Sequence, residues 1–377
     1  MIYFDNAATT FPKPREVTAA VAHHMQAHGG NPGRGAHPLA LAAAEAVYDV
    51  RSEVAAFFGG GKPENVVFTQ NATHALNLAI FGTVRAGDHV LISNLEHNSV
   101  FRPVAELYRR GVASYSIFDA LGSEEETLAG IKKLLRLSTR VLICTHASNV
   151  CPKVLPLERI SRLCRERGIL HIADVSQSAG IYPVRIGESA DIICAPGHKG
   201  LYGPQGTGFC LFADRFDFSR LLPTVFGGNG LASAKPEMGH TPPESFEAGT
   251  LAAPAISGLL AGIRFVKRHG TERIRAHECA ISEKIRAFLL RQDGVTVYLP
   301  YENAGSTLLF NVDGESASAL ASKLSARGVC TRAGMHCAPL AHGALGTGGD
   351  ALRLSFSAFN TMKEADDFCS IFSEITR

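Results

Sequence analysis

Short, almost wholly apolar runs alternate with helical segments over the first 250 residues, and no other feature limits the fold as strongly. Six runs predict strands: Asn65–Thr69, His89–Ser93, Arg140–Thr145, Ile169–Asp174, Asp191–Ala195 and Gly208–Phe212. Helical periodicity lies between several of them, at Val100–Arg110, Glu125–Leu137 and Leu157–Arg167. Apolar strands separated by helices indicate a mostly parallel sheet covered on both faces. In such a sheet, ligands bind beyond the carboxyl ends of the strands.

The pattern changes after Thr250. Two long helices are predicted first, followed by a mixture of strands and helices that is typical of a smaller α+β unit. The helices are Ala253–His269, Ile274–Gln292, Ser316–Ala326 and Thr361–Ile375, and the strands lie near Val295–Tyr298, Thr307–Asn311 and Leu352–Ser357. A chain of 377 residues exceeds one ordinary core. We therefore predict a large domain over residues 16–252 and a small C-terminal domain over residues 253–377, joined by the N-terminal segment 1–15.

Composition excludes several classes of protein. The formal net charge is +2, and the scattered Lys and Arg residues form no basic stripe for nucleic acid. We expect no membrane span, because no uncharged apolar run reaches about 18 residues, and no signal peptide, because the start of the chain lacks its basic and apolar regions. The nine cysteines show no disulfide-scaffold spacing. We expect reduced thiols and a cytoplasmic location.

Two residues that follow predicted strands suggest a cofactor. Asp174 ends one apolar run, and Lys199 follows the next one in a glycine-rich segment. Pyridoxal 5'-phosphate (PLP) chemistry needs a lysine that forms an imine with the cofactor and a carboxylate that keeps the pyridine nitrogen protonated. Taken alone, Asp174 is better explained as a strand-end residue that caps a turn, and Lys199 as an ordinary surface lysine. The turn Asn71–Thr73 adds a helix N-terminus whose free N–H groups suit a phosphate.

Eight motifs in order resemble the class V aminotransferase superfamily, and within it the cysteine desulfurases and selenocysteine lyases of group II type. The resemblance covers about Tyr3 to Asn360. Its motifs are Phe4–Thr10, Asn71–Thr73, Glu96–Ser99, Ser148–Asn149, Ala173–Gln177, Gly197–Lys199, Phe246–Thr250 and Arg332–Cys337. The resemblance implies an α/β fold of the fold-type I PLP-dependent transferases, with a mostly parallel sheet in the large domain and a smaller α+β C-terminal domain.

The resemblance also implies roles at the cofactor. Lys199 would be the Schiff-base lysine, Asp174 the partner of the pyridine nitrogen, His97 a ring stacked on the cofactor that can help to move protons, and Gln177 the partner of the ring hydroxyl. Further cofactor contacts are implied for Ala72, Thr73, Asn149, His198 and Thr250. Thr250 matches a residue that reaches the phosphate from the other subunit, so a homodimer is expected.

Three residues are implied at the substrate: Asn149, Ala8 and Arg353, of which Arg353 matches the arginine that binds the substrate carboxylate. Cys337 matches the sulfur acceptor. It lies in a polar loop beside a histidine, whereas Cys144, Cys194 and Cys210 lie in apolar strands. We expect His336 and Arg332 to favour its thiolate form. We expect no metal, since His336, Cys337 and His342 match no zinc spacing.

The predicted function is therefore PLP-dependent removal of sulfur from L-cysteine, giving L-alanine and a persulfide on Cys337, with a protein as a possible sulfur acceptor. A selenocysteine lyase or a C–S β-lyase acting on a cysteine analogue is the first alternative, because a lyase needs no thiol acceptor, and an aminotransferase is a more distant one. A non-catalytic scaffold is disfavoured by the Asp174–Lys199 pair.

The chain departs from the family pattern at two positions. Pro196 stands where the family carries a phosphate-binding serine, and Met335 stands where group II enzymes commonly carry a first histidine before the cysteine. These changes predict a weaker phosphate site and altered proton transfer near the thiol. Arg34 and His37 resemble a segment near the active-site entrance and are further candidates, although a solvated loop explains them equally well.

Overall fold

A seven-stranded sheet forms the centre of the computed structural model, which describes residues 1–33, 35–228, 235–300 and 305–376. Its strands are β2 (Val66–Thr69), β3 (His89–Ser93), β4 (Ser114–Phe118), β5 (Thr139–Thr145), β6 (Leu170–Asp174), β7 (Ile192–Pro196) and β8 (Gly208–Phe212). The spatial order is β2-β8-β7-β6-β5-β3-β4, and only β8 runs antiparallel to its neighbours. The predicted fold class is confirmed.

Helices cover both faces of this sheet, and two apolar clusters lie between sheet and helices. In chain order the helices of this part are α1 (Arg15–Ala27), α2 (Pro38–Phe57), α3 (Ala72–Thr83), α4 (Asn98–Arg109), α5 (Glu124–Leu134) and α6 (Leu157–Glu166). All six strands predicted from apolar runs are present within one residue of the expected bounds. The edge strand β4 was not predicted, because its sequence Ser-Tyr-Ser-Ile-Phe alternates polar and apolar residues and only Phe118 is buried.

The C-terminal part is a smaller α+β unit. Its helices are α7 (Ala253–His269), α8 (Thr271–Leu289), α9 (Ala317–Ala326), α10 (Pro339–Leu345) and α11 (Met362–Ile375). Its strands are β9 (Val295–Val297), β10 (Leu308–Val312), β11 (Val329–Cys330), β12 (Arg332–Gly334) and β13 (Ala351–Leu354). Four of these strands form an antiparallel sheet in the order β12-β13-β10-β9.

The N-terminal segment belongs structurally to this smaller unit. Strand β1 (Ile2–Tyr3) pairs in parallel with β11, and Phe4 is fully buried against Phe356 and Phe368. The chain therefore starts beside its own C-terminal third and then crosses to α1 of the large unit.

Helix α7 follows the predicted domain boundary, yet it packs on α1 and α2. Its residues Ile256, Leu259 and Ile263 share an apolar cluster with the large sheet. The domain boundary between residues 252 and 253 stays a prediction. The packing of α7 favours a boundary nearer the end of this helix.

The carboxyl ends of the parallel strands create the crevice in which the candidate site lies. The chain runs from β3 to β4 at one side of β3 and then returns to place β5 at the other side, so the β3–β5 junction is a topological switch point where a ligand crevice forms. No helix among the described residues is long and apolar enough to span a membrane.

Candidate active site

A cavity of about 230 Å³ opens at this edge of the sheet, between the two units. It brings together nearly all of the residues predicted from the sequence. Its lining includes Ala8, Ala72, Thr73, His97, Asn149, Asp174, Gln177, His198, Lys199, Cys337 and Arg353. Because these residues come from positions 8 to 353, the cavity depends on the complete fold rather than on one segment.

Lys199 enters the cavity from a tight loop after β7. A β-carbon on Gly197 would lie 2.1 Å from the Thr207 hydroxyl oxygen, so only glycine permits this close packing. The turn is closed by a hydrogen bond from the Tyr202 N–H to the Lys199 carbonyl, 2.8 Å long. Burial lowers the pKa of the Lys199 amine from 10.5 to about 8, and the cations of Arg353 and Arg332 add to this effect while Asp174 opposes it. The amine is therefore partly neutral near pH 7.

Asp174 is the last residue of β6 and is buried. Its Oδ1 accepts two hydrogen bonds from Ser176, one from the backbone N–H at 2.9 Å and one from the hydroxyl at 2.5 Å. None of the described residues donates to Oδ2. The carboxylate is thus held by one oxygen while the other stays available to a bound group.

His97, Ser99 and Thr73 form one polar network. Nδ1 of His97 accepts the Ser99 N–H at 3.0 Å and lies 2.8 Å from the Ser99 hydroxyl, which in turn lies 2.8 Å from the Thr73 hydroxyl. Since Nδ1 accepts a backbone N–H, the proton of the neutral ring resides on Nε2. Burial lowers the pKa of His97 to about 4, with Asp174 opposing that shift. The ring is therefore neutral and fixed in one tautomer.

The phosphate cradle predicted at Asn71–Thr73 is the N-terminus of α3. Asn71 caps the helix by accepting the His74 N–H at 2.9 Å, and the β-carbon that Gly208 lacks would lie 2.6 Å from the Asn71 carbonyl carbon. Thr73 presents its hydroxyl on the first turn, beside that of Ser99. Although Pro196 removes one hydroxyl from the family pattern, the cavity retains these two.

His198, also predicted at the phosphate, lines the same cavity from the lysine loop. Its Nδ1 is buried and has no hydrogen-bond partner among the residues that the structure describes. Burial, together with the charges of Lys199 and Lys13, lowers its pKa to about 4. The backbone carbonyl of His198 accepts a hydrogen bond from the Lys13 ammonium at 2.7 Å and another from the Thr10 N–H at 3.1 Å, so the N-terminal segment braces the lysine loop.

Two amide side chains connect the cavity wall to flanking segments. The Gln177 side-chain N–H donates to the Ala7 carbonyl at 3.0 Å, which leaves the Gln177 oxygen as an acceptor. The Asn149 side-chain N–H donates to the His336 carbonyl at 2.8 Å. Asn149 therefore supports the loop that carries Cys337 as well as lining the cavity.

Arg353 lies buried on β13, where Asp5 and the Asn149 backbone hold its guanidinium. The distance to Asp5 Oδ1 is 2.7 Å and the distance to the Asn149 carbonyl oxygen is 3.1 Å. Arg332 lies 3.8 Å from the second Asp5 oxygen. A guanidinium has five N–H donors, so these contacts fix Arg353 and leave donors for another carboxylate.

Cys337 is the exposed cysteine among the nine free thiols. It and His336 both have left-handed backbones, with φ of 56° and 51°. The expectation that His336 favours the thiolate is wrong, because burial lowers the pKa of His336 to about 3 and both ring nitrogens lie at hydrogen-bond distance from other groups. Arg332 lines the same cavity.

Thr250 does not line this cavity. It is exposed and borders a second cavity of about 760 Å³, together with His37 and Glu247. Its predicted contact with the phosphate would therefore need a second copy of the chain and stays a prediction. His37 caps α2, whereas Arg34 lies outside the described residues.

Sequence reasoning missed four supporting residues: Asp5, Lys13, Ser99 and Ser176. Asp5, Ser99 and Ser176 stand inside motifs that carry the resemblance, so the motif pattern could have identified them. Ser176 also fits the common turn in which an aspartate side chain accepts the N–H of the residue two positions later. No local signal marks Lys13.

Known proteins with related sequences and structures share this architecture. Residues 2–368 match the family model for aminotransferase class-V. A protein named "Probable cysteine desulfurase" from Methanothermobacter thermautotrophicus is 33% identical over 371 residues, which cover 96% of this chain and 92% of that protein. A cysteine desulfurase from Haloferax volcanii is 30% identical and covers 97% of this chain and 87% of its own length. The apo structure of a cysteine desulfurase from Thermococcus onnurineus has a TM-score of 0.91 at 29% identity, covering 99% of this chain and 94% of that one.

Proposed function

The chain belongs to the class-V aminotransferase family and to its cysteine desulfurase branch, and from this premise we propose that it converts L-cysteine to L-alanine and holds the sulfur as a persulfide on Cys337. Enzymes of this family generally depend on PLP. One observation carries the proposal: an exposed free thiol shares a cavity with a lysine, a buried carboxylate and a buried arginine.

The residues of the cavity fit PLP. The buried Nδ1 of His198 lacks a partner, the α3 N-terminus offers N–H groups and two hydroxyls lie beside it, which together suit a phosphate. The free oxygen of Asp174 suits a protonated ring nitrogen. Lys199 would hold the cofactor through its amine, His97 would cover the ring, and Ala72, Thr73, Asn149, Gln177 and His198 would complete the contacts. Thr250 of a second copy would reach the phosphate in a homodimer.

When bound, PLP withdraws electrons from the substrate Cα and so weakens the bonds around it. Arg353 orients the substrate carboxylate, and Ala8 and Asn149 line the space beside it. Lys199, with a pKa of about 8, can take the proton from Cα and return one to carbon. Burial brings this pKa close to neutral pH, while the charge of Asp174 acts in the opposite direction.

Cys337 supplies the nucleophile for sulfur. Its sulfur attacks the substrate sulfur, so that an S–S bond forms while the Cβ–S bond breaks, and the carbon takes up a proton. L-cysteine and the enzyme thiol thus give L-alanine and the enzyme persulfide without an external oxidant or reductant. Because this reaction needs a reduced thiol and the nine cysteines are free, we place the protein in the cytoplasm.

The test is mass spectrometry of the PLP-loaded protein after addition of L-cysteine. We expect one additional sulfur on Cys337, release of alanine, and loss of both in C337A and K199A. C369S, which changes a partly buried cysteine on α11, is the matched control and should behave as wild type. Alanine release that persists in C337A would contradict the persulfide and favour a lyase.

A further inference from the structure

Two adjacent residues of the Cys337 loop are held in a left-handed backbone conformation. His336 and Cys337 have φ of 51° and 56°, although neither is a glycine. Such residues are strained, and they persist only where surrounding contacts fix them. The loop must therefore be held by groups outside its own backbone.

Part of the support comes from the large unit. The Asn98 N–H at the start of α4 donates to the Cys337 carbonyl at 2.7 Å, and the Asn149 side chain donates to the His336 carbonyl at 2.8 Å. These bonds fix the two carbonyls of the turn. They leave the His336 side chain to be held by other groups.

A chain of four side-chain hydrogen bonds holds the His336 ring. The Gly349 N–H lies 3.2 Å from the Thr347 hydroxyl oxygen, which lies 2.6 Å from Nδ1 of His342. Nε2 of His342 lies 3.2 Å from Nδ1 of His336, and Nε2 of His336 lies 3.1 Å from the Arg332 carbonyl oxygen. The two imidazole rings are nearly parallel, with an interplanar angle of 13°. We name His336, His342 and Thr347 the histidine clamp.

The ends of this chain determine the position of every proton. The Arg332 carbonyl can only accept, so Nε2 of His336 carries a proton and its Nδ1 accepts. His342 must then donate from Nε2 and accept at Nδ1 from the Thr347 hydroxyl, whose oxygen accepts the Gly349 N–H. This assignment requires both rings to be neutral. Burial agrees with this assignment, since the rings are 7% and 2% exposed and burial lowers the pKa of both.

We propose that His342 and Thr347 are positioning residues for the Cys337 thiol: they orient the His336 ring, and this ring maintains the left-handed turn that presents the thiol to the cavity. The proposal rests on the proposed function, in which Cys337 receives the sulfur. Met335 occupies the position of a second histidine before the cysteine, and it is exposed. The second imidazole beside His336 is therefore supplied by His342.

The held loop has a consequence for sulfur delivery. Cys337 is exposed while its backbone is fixed on both sides, so the sulfur stays at the cavity mouth. An acceptor must approach the persulfide there. A loop that carries the sulfur to a distant site is incompatible with the clamp.

The test compares T347V with T347S in the full-length, PLP-loaded protein. Valine has the shape of threonine without the hydroxyl, whereas serine keeps the hydroxyl. T347V removes both the hydrogen bond to His342 and the one accepted from the Gly349 N–H. We therefore expect the amides of residues 335–338 to exchange with deuterium at least about tenfold faster in T347V, and within about twofold of wild type in T347S. Single-turnover persulfide formation should slow by about tenfold in T347V. The KM for L-cysteine should stay unchanged, because Arg353, the proposed partner of the substrate carboxylate, lies on β13 and not in the Cys337 loop.

A second pair of variants distinguishes loss of the clamp from a folding defect in T347V. In H342Q the amide nitrogen can take the place of Nε2 and donate to His336, whereas H342L cannot, so H342Q should restore slow exchange relative to H342L. Nitrogen-15 spectra of the imidazoles at pH 7 should show both rings neutral with the proton on Nε2. A charged His336, or equal exchange in all variants, would overturn the clamp. Faster exchange in T347V with no persulfide in wild type would overturn the proposed function alone.

Discussion

The reactivity of the Lys199 amine is the sharpest electrostatic consequence of the cavity. Burial and two arginine cations lower its pKa from 10.5 to about 8. At pH 7 the neutral fraction is about one-tenth at the lower value and about 0.0003 at the ordinary one, a difference of roughly 300-fold. Replacing Arg332 by glutamine removes one of these cations from a side chain that is 48% exposed, so burial of the lysine is retained. The Lys199 pKa should therefore rise.

Competitive labelling measures this shift directly. Cofactor-free protein is pulsed with acetic anhydride between pH 6 and 10, and acetylation of each lysine is quantified by peptide mass spectrometry. Lys13 is an internal control, because its pKa is also lowered to about 8 but through burial alone. R332Q should move the labelling midpoint of Lys199 to higher pH and leave that of Lys13 in place.

Three results would refute the reasoning behind this experiment. A wild-type midpoint near 10.5 for Lys199 would show that the amine is solvated rather than desolvated in the cavity. An unchanged midpoint in R332Q would remove the arginine contribution. A parallel shift of Lys13 would show that the substitution alters the fold instead of the charge.

Three further predictions follow from buried charges. R353K should raise the KM for L-cysteine by about tenfold or more, with a smaller effect on kcat, because an ammonium cannot form the paired N–H contacts of a guanidinium; steady-state kinetics measure this. R51A should lower the free energy of unfolding by about 3–5 kcal/mol in urea titrations, because it leaves Glu247 buried without its cation, whereas R159A removes only exposed ion pairs and should change little. Burial raises the Glu96 pKa from 4.5 to about 8, so the folded state keeps a proton that the unfolded state loses, and stability should fall as pH rises from 5 to 8. E96Q should reduce this slope in thermal unfolding, and Glu278, whose pKa burial also raises to about 8, should account for a remaining part.

Local sequence patterns predicted the strands and the position of the site, whereas contacts between residues far apart in sequence could not be predicted. The strands that end at Ser93 and Asp174 were located because burial on both faces makes their sequences continuously apolar, and the residues that follow them must lie at one edge of the sheet. Nothing local links Asp5 to Arg353, which are 348 positions apart. Their contact depends on the pairing of β1 with β11, two short strands with no periodicity of their own.

The histidine clamp shows the same limit at shorter range. His336 and His342 are only six positions apart, and their spacing was examined for zinc because paired histidines are common metal ligands. In the structure one ring donates to the other. Spacing alone cannot distinguish these arrangements, because the outcome depends on the tautomers, and these are set by the Arg332 carbonyl and the Gly349 N–H at the ends of the chain.

Neutral histidines around the cavity favour the proposed role of Lys199 in proton transfer. Burial lowers the pKa of His97 and His198 to about 4 and that of His336 to about 3, so none of the three changes charge between pH 6 and 8. These rings can stack, donate or hold a loop, but they cannot gain a proton at neutral pH without opposing the burial that makes them neutral. Of the cavity groups with a shifted pKa, Lys199 is the one that titrates near pH 8. A histidine-like inflection near pH 6.5 in the rate of alanine formation would contradict this assignment.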